Sequence, residues 1–281
     1  VVAIEEMPET GLQEPLLLLL MHNEVTYRRI DKALSAIADG SVSTAASLVV
    51  SALLGGEGGR AAEALVPPQP PVPLPLHACR NQGLNEGQRA AVSFGLAASP
   101  VCLIHGPPGT GKTTAVVELI LQATARGERV LACAASNVAV DNMAERLLAS
   151  PRPPSLVRVG HPARLHPAVL SASLDARMSR SDAAAIVADV RDELVEARRK
   201  LLGERSKGTR ARLRAEVKTL RGELTSRQIK AVKELLSGAQ VVLATNTGAA
   251  DRAFDALPPD HAFDLVVIDE AAQVGSESAG V

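Results

Sequence analysis

One stretch of the sequence has the residue types and spacing of a phosphate-binding loop. Residues 106–113 read GPPGTGKT, which fits the pattern G-x-x-x-x-G-K-[ST] at every required position. Glycines let backbone N–H groups approach a triphosphate because no side chain blocks them. We expect Lys112 to reach the β- and γ-phosphates and Thr113 to hold Mg²⁺. The predicted nucleotide contacts are Gly106, Pro107, Pro108, Gly109, Thr110, Gly111, Lys112, Thr113 and Thr114; the alternative is a glycine-rich turn that binds nothing.

A pair of carboxylates after an aliphatic run is the second candidate. Residues 265–270 read LVVIDE, so Asp269 and Glu270 follow four aliphatic residues. Burying an unpaired charge is costly, which favours a functional role over a place in the core. We expect Asp269 to bind Mg²⁺, directly or through water, and Glu270 to orient and deprotonate an attacking water. The alternative is an ordinary turn at the end of a strand.

Polar residues elsewhere give weaker signals. An amide donates and accepts at once, so Gln88 suits the edge of adenine, although it could equally be an exposed residue at a helix start. Two further groups could contact a nucleic-acid backbone or serve only as helix caps and turns. They are Ser136, Asn137, Asp141 and Asn142 in one segment, and Thr245, Asn246 and Thr247 in another.

The cysteines and two histidines do not form a metal site. The spacing of Cys79, Cys102 and Cys133 fits neither a disulfide framework nor a zinc knuckle, so we expect buried thiols and a reducing compartment. His161 and His166 lack a third ligand, which predicts surface or packing roles.

Alternating strand and helix patterns surround these motifs and predict an α/β fold with a parallel sheet covered by helices. The predicted helix over Thr113–Ala125 begins at the phosphate loop, and Asn137 is placed to cap the helix over Val138–Leu148. The predicted strands are Val101–His105, Arg129–Ala135, Leu156–Val159, Val241–Thr245 and Leu265–Ile268, the last of a fully buried type.

The chain before residue 82 is organised differently. Helical spacing of apolar residues predicts helices over Val25–Ile37 and Ala45–Leu54, and a proline-rich stretch then favours an extended linker. We therefore predict three parts: an accessory helical region over residues 1–66, a linker over 67–81 and the main domain over 82–281.

A basic helical pair is expected within the main domain. Residues 180–236 carry 15 Lys and Arg against 9 Asp and Glu, and two apolar stripes at helical spacing are separated by Gly203 and Gly208. This pattern predicts an inserted antiparallel helical hairpin that binds a ligand or is simply solvated.

Composition limits the function classes. The formal net charge of −1 excludes a globally basic nucleic-acid protein. Because only 1% of the residues are aromatic, any nucleic-acid contact must depend on phosphates more than on stacking. The apolar run Leu16–Met21 is too short to cross a membrane, so we expect a soluble protein of the cytoplasm or nucleus without a membrane partner.

Taken in order, the motifs resemble those of superfamily 1 helicases of the 5′-to-3′ branch, in the group of the immunoglobulin mu-binding-protein and nonsense-mediated-decay helicases. The resemblance covers about residues 82–274. The segments that carry it are LNEGQRAAV, the phosphate loop, LACAASNVAVDN, VRVGHPARL, the charged hairpin, VVLATNTGA and VVIDEAAQ.

The resemblance implies a RecA-like P-loop lobe that binds ATP and Mg²⁺ and acts on single-stranded RNA or DNA. In that family Gln88 would read adenine, while Lys112, Glu270 and Gln273 would serve catalysis, Gln273 near the γ-phosphate. Thr113 and Asp269 would hold the metal. The nucleic-acid backbone would meet Ser136, Asn137, Thr245, Asn246 and Thr247.

Residues 274–281 depart from the family pattern, and we expect neither a second RecA-like lobe nor an arginine finger in this chain. We therefore expect an incomplete first lobe that binds ATP but does not unwind nucleic acid. The alternatives are a nucleotide-dependent module that binds RNA or protein through the hairpin, and a nonfunctional truncation product.

Overall fold

A computed structural model describes residues 24–54, 73–97, 100–258 and 261–275. The chain divides into two compact units, residues 1–41 and 42–281. In the first unit, helix α1 spans Glu24–Ala38, as the apolar spacing predicts. It ends in a turn at Gly40, whose φ of +67° suits a residue without a side chain.

The second unit contains the remaining helices and the sheet. Most of the predicted elements are confirmed to within one or two residues. The helices are α2 (Thr44–Leu54), α3 (Glu86–Ala97), α4 (Lys112–Ala125), α5 (Asn137–Leu148), α6 (Leu174–Met178), α7 (Ala183–Gly203) and α8 (Lys207–Ser237). The strands are β1 (Val130–Ala134), β2 (Leu156–Arg158), β3 (Val241–Thr245) and β4 (Leu265–Asp269).

The four strands form a parallel sheet in the order β2-β3-β1-β4. Ala134 at the end of β1 lies opposite Thr245 of β3 and Asp269 of β4. The carboxyl ends of these three strands therefore meet at one edge. This arrangement confirms the predicted α/β class and its parallel sheet.

Alternate residues of the central strands bury opposite faces of the sheet. Val241 and Leu243 of β3 belong to the cluster that packs against α4 and α5, with Ile120 and Met143 from those helices. Val242 lies between them and faces a second cluster, which includes Leu236 of α8 and aromatic residues near β4. This alternation follows from the two-residue period of a strand.

Helices α7 and α8 form the predicted antiparallel hairpin. Three residues, Glu204–Ser206, connect the helices, which pack through a small separate cluster that includes Leu194, Ala197 and Val217. At 1.5 Å per residue, α7 is about 30 Å long. The two glycines expected to separate the helices do not lie in the connection itself: Gly203 is the last residue of α7, and Gly208 lies in the first turn of α8.

Two strand predictions also need correction. Residues 101–105 do not form a strand, because the described residues provide no backbone ladder for this segment, and Leu103 is 82% exposed. Strand β4 is not fully buried: Val267 is buried, whereas Val266 and Ile268 are 55% and 50% exposed. One face of β4 is therefore open among the described residues.

Residues 67–72 of the predicted proline-rich linker (67–81) lie outside the described residues, and so does the apolar run Leu16–Met21. Pro75 has the expected extended backbone, with φ −63° and ψ 140°, and a short 3-10 turn follows it over Leu76–Ala78. None of the helices in the described ranges combines the length and the apolar character needed to cross a membrane.

Candidate nucleotide-binding site

The phosphate loop is a tight turn that leads into α4. Gly109 and Gly111 both have φ of +79°, a backbone conformation that side-chain-bearing residues rarely adopt. Thr110 braces the turn, because its hydroxyl donates to the carbonyl oxygen of Pro107 at 2.8 Å. The first helical bond, from Ala115 N–H to Gly111 O, then begins α4. The loop thus holds the amino end of α4 at a fixed place.

Lys112 lies across this loop. Its ammonium donates to the carbonyl oxygens of Gly106 at 2.9 Å and Pro107 at 3.2 Å. The side chain is therefore folded back over the turn, with its charge at the amino end of a helix. An anion at this place would meet both the ammonium and the positive end of the helix dipole.

Asp269 meets Thr113 although they are far apart in sequence. The Thr113 hydroxyl donates to Asp269 Oδ2 at 3.0 Å, and the Asp269 side chain is buried, with the residue 6% exposed. The packing of β4 against α4 causes this contact, since β4 ends at Asp269 beside the first turn of that helix. The two predicted Mg²⁺ ligands therefore share one site.

Glu270 turns sharply away from β4. Its φ of +54° is unusual for a residue with a side chain, and its N–H donates to Asp269 Oδ1 at 3.0 Å. The Glu270 side chain is exposed, and the next turn brings Gln273 N–H to Glu270 O at 2.9 Å. Glu270 thus stands next to the metal candidates, with Gln273 on the adjoining turn.

Gln88 lies against the phosphate loop. Its amide N–H donates to Thr110 O at 2.9 Å, and a Cβ added to Gly111 would come within 2.5 Å of Gln88 Nε2. Gln88 also forms a reciprocal capping box with Asn85 at the start of α3. Gln88 is therefore a residue at a helix start, as the alternative interpretation has it, and it also lies next to the phosphate loop.

The residues of this site fit a magnesium–triphosphate group. A Cβ at Gly106 would lie 2.9 Å from Thr110 Oγ1, so the cradle excludes side chains. Within the described ranges, no cluster of three His, Cys, Asp or Glu side chains could hold a metal. Mg²⁺ commonly binds through one or two protein ligands together with phosphate oxygens, which matches the Thr113 and Asp269 pair.

Sequence reasoning missed Glu118, a buried carboxylate on α4 that is 1% exposed. It accepts hydrogen bonds from Arg80 N–H at 2.7 Å, Asn81 N–H at 2.9 Å and the Gln122 amide at 2.7 Å. Glu118 thereby fastens the segment before α3 to the helix of the phosphate loop. The available signal was a lone carboxylate among the apolar residues of α4.

Two arginines were also missed. Arg146 of α5 donates to Thr114 Oγ1 at 3.0 Å and so places a guanidinium beside the first turn of α4. Arg158 at the end of β2 is fully buried and donates to Asp141 Oδ1 and Asn137 Oδ1, each at 2.8 Å. Asp141 is therefore a buried ion-pair partner, and it does not cap α5.

The residues predicted to contact nucleic acid lie at the same sheet edge. Ser136, and not Asn137 as predicted, caps α5, because its hydroxyl accepts from Ala139 N–H. Thr245 Oγ1 accepts from Gly248 N–H at 3.0 Å. Asn246 has both amide atoms buried without a partner among the described residues, and Thr247 is exposed.

The histidines and cysteines follow their predictions in part. His161 and His166 are exposed and cap short 3-10 turns through their Nδ1 atoms. All three cysteines are free thiols, with Cys79 and Cys133 buried and Cys102 partly buried. Loss of solvation on burial raises the pKa of Cys133 to about 11, although Arg158 opposes the shift.

Comparison with known proteins agrees with this geometry. Residues 83–278 match the family described as an AAA domain. The chain is 44% identical over 256 residues to "DNA-binding protein SMUBP-2" of Mesocricetus auratus, which covers 91% of the chain and 25% of that protein. It is 38% identical to "DNA polymerase alpha-associated DNA helicase A" of Schizosaccharomyces pombe, over 69% of the chain and 28% of that protein.

A third relative is "ATP-dependent helicase NAM7" of Saccharomyces cerevisiae, 34% identical over 68% of the chain and 17% of that protein. The chain thus spans about a quarter of the length of the first curated relatives it matches. These matches confirm the resemblance to helicases.

Proposed function

The chain belongs to the AAA domain family, and on this premise we propose that it is the ATP-binding first motor lobe of a 5′-to-3′ nucleic-acid helicase. The observation that carries the proposal is the 3.0 Å contact between Thr113 Oγ1 and Asp269 Oδ2. It joins the phosphate loop to the acidic strand end in one site. Relatives named as ATP-dependent or DNA helicases support the same function.

ATP would bind over the amino end of α4. Gly106, Gly109, Thr110 and Gly111 would surround the phosphates with backbone N–H groups. Pro107 and Pro108 of the same loop have no N–H and would contact the nucleotide without donating. Gln88 would face the adenine. Lys112 would exchange its contacts with Gly106 O and Pro107 O for phosphate oxygens. Thr114 follows in the first turn, where the Arg146 guanidinium adds positive charge. Arg146 would therefore strengthen binding of the anionic nucleotide.

Thr113 and Asp269 would hold Mg²⁺, which when bound neutralises phosphate charge. Glu270 would accept a proton from the attacking water at its exposed carboxylate. Its N–H bond to Asp269 Oδ1 fixes it next to the metal ligands. Gln273, on the turn that begins at Glu270, would respond to the γ-phosphate.

Single-stranded RNA or DNA would lie along the carboxyl edge of the sheet. Ser136, Asn137, Thr245, Asn246 and Thr247 line that edge at the ends of β1 and β3. A second RecA-like lobe would close over the nucleotide. Such a helicase would work in the cytoplasm or nucleus.

The direct test replaces the proposed base. We expect Glu270→Gln to keep Mg·ATP affinity and to lower ATP turnover by about 10²-fold or more, because only proton transfer is lost. The matched control is Glu145→Gln, which neutralises an exposed carboxylate on α5. Turnover is measured with and without single-stranded RNA or DNA. Wild-type turnover in Glu270→Gln would refute the assignment.

The hairpin supports a second candidate function, a binding module without motor activity. Residues 198–214, the hairpin tip, contain eight Lys and Arg and one acidic residue, Glu204. Most of the basic residues of the tip are exposed, and Arg199 and Lys200 both pair with Glu196. Such a surface suits a phosphate backbone.

Salt dependence separates the two candidates. In a binding module, replacing Arg210, Arg212 and Arg214 by Gln would weaken single-strand binding. It would also reduce the slope of log K against log salt concentration by about 0.7 for each lost phosphate contact. Lys230→Gln with Lys233→Gln, on the same helix but distant from the tip, is the control. Binding that depends on the tip and ignores Mg·ATP would favour the module. Binding that changes with Mg·ATP would favour the motor lobe.

A further inference from the structure

A cavity of about 240 Å³ lies away from the phosphate loop. It is lined by Cys79, Arg80, Leu121, Ser150, Pro151 and Arg152. Leu121 is nine residues beyond Lys112 on α4, about 13 Å along the helix axis. The other walls of the cavity come from the segment before α3 and from the loop after α5. The cavity is therefore a separate site, and it does not depend on the proposed helicase function.

Three polar side chains at this cavity, those of Arg80, Ser150 and Arg152, have no ion-pair or hydrogen-bond partner among the described residues. Arg80 and Arg152 are exposed, and no acidic side chain in the described part of the chain pairs with either guanidinium. Ser150 Oγ is buried and has no hydrogen-bond partner there. Two unpaired cations and a hydroxyl donor thus border one small space.

The buried acid Glu118 forms no ion pair with either cation in the described part of the chain. Its oxygens accept the backbone N–H groups of Arg80 and Asn81 and the side-chain amide of Gln122, none of which is a charged donor. The bond with Arg80 involves the backbone, so the Arg80 guanidinium is left for another anion. Leu121 and Pro151 give the cavity an apolar side.

We propose that this cavity binds a small phosphate-bearing anion between Arg80 and Arg152, with Ser150 Oγ as a third donor. The planar forks of arginine match phosphate oxygens in pairs. Size limits the ligand: the cavity is smaller than the roughly 300–1,000 Å³ of sites for drug-sized molecules. A phosphate or pyrophosphate group suits this space better than a whole nucleotide.

The test follows the methyl groups of Leu121 by NMR while inorganic phosphate or pyrophosphate is added. The chain carries Lys112→Ala, which weakens competing binding at the phosphate loop. We expect a saturable shift of the Leu121 signals, with binding about tenfold weaker or more in Arg80→Gln and in Arg152→Gln. Ser150→Ala should weaken it less. Arg252→Gln, an exposed arginine in the short turn that packs near α8, is the control and should bind normally.

A second arm adds a single-stranded oligonucleotide in place of free phosphate. A stronger Leu121 response to the oligonucleotide than to pyrophosphate would overturn the small-anion assignment. The proposal also fails if the shift does not saturate, or if Arg252→Gln weakens binding as much as the two pocket variants. Melting temperatures of all variants show whether a loss of binding reflects unfolding.

Discussion

Gly109 and Gly111 of the phosphate loop have the same backbone angle but different surroundings. Both have φ of +79°; a Cβ would meet nothing within 4 Å at Gly109, whereas at Gly111 it would lie 2.5 Å from Gln88 Nε2. Gly109→Ala should cost about 1–2 kcal/mol of stability through its backbone angle alone. We expect Gly111→Ala to cost more and to displace Gln88. Urea unfolding and ATP titration measure the two effects.

Gly127→Ala provides a reference for these variants, because Gly127 has φ of +85°, an open environment and a place at the far end of α4. It should lose stability like Gly109→Ala and keep full ATP affinity. Equal ATP affinity in Gly111→Ala and Gly127→Ala would contradict a role for the Gln88 contact.

The titration of the Cys133 thiol should make the free energy of unfolding depend on pH. Its pKa is about 11 because burial in β1 disfavours the thiolate, compared with an ordinary value of 9.0. As pH rises above 9, the unfolded state loses the proton first, so the free energy of unfolding should decline until about pH 11. Cys133→Ala should show a smaller decline in urea unfolding across this range. An identical decline in both proteins would show that Cys133 is not its source.

Residues inside a local motif could be predicted, and residues defined by tertiary contacts could not. Lys112, Thr113 and Asp269 are specified by short patterns whose geometry is nearly fixed. Glu118 and Arg158 are buried ions whose partners lie many residues away or in the backbone. A spacing pattern contains no signal for such pairings.

The hairpin should unfold as an element separate from the sheet. Its cluster includes Leu194, Ala197 and Val217 and is distinct from the two clusters that flank the strands. Leu194→Ala, at a buried position, should destabilise the hairpin by about 2–5 kcal/mol and leave ATP affinity unchanged. Amide hydrogen exchange should show the loss of protection confined to α7 and the amino-terminal part of α8, because Leu236 near the other end of α8 packs in a cluster of the sheet.

Val195→Ala is the matched control, since Val195 is 58% exposed on the same helix. It should leave exchange within the hairpin nearly unchanged. Loss of protection in β1 and β3 on Leu194→Ala would mean that hairpin and sheet unfold together.

For the helices and strands, the apolar periodicity predicted which elements exist better than it predicted what surrounds them. The strand β3 was predicted with its bounds, because an aliphatic run between polar turns has few alternatives. Residues 101–105 are also a mostly apolar run but have no ladder, since pairing depends on a neighbour that the segment itself does not specify. The exposed face of β4 could not be predicted for the same reason, because an aliphatic run does not show which element covers it.

At the scale of the whole molecule, charge is unevenly placed. The formal net charge is −1, yet residues 198–214 alone carry a net charge of +7. The remainder of the chain is therefore acidic, and a polyanion would be attracted to the hairpin tip over the rest of the surface. Total charge could not have indicated this, because it averages over the two regions.

The central claim is that the phosphate loop and β4 build one Mg·ATP site, and calorimetric titration of ATP with and without Mg²⁺ tests it most directly. The wild-type chain should bind ATP about tenfold or more tightly with Mg²⁺ than with EDTA. Lys112→Ala should weaken ATP binding both with Mg²⁺ and with EDTA. Asp269→Asn should remove the gain in affinity that Mg²⁺ gives, and Asp175→Asn on α6 should preserve that gain. A Mg²⁺ gain that persists at full size in Asp269→Asn would contradict the claim.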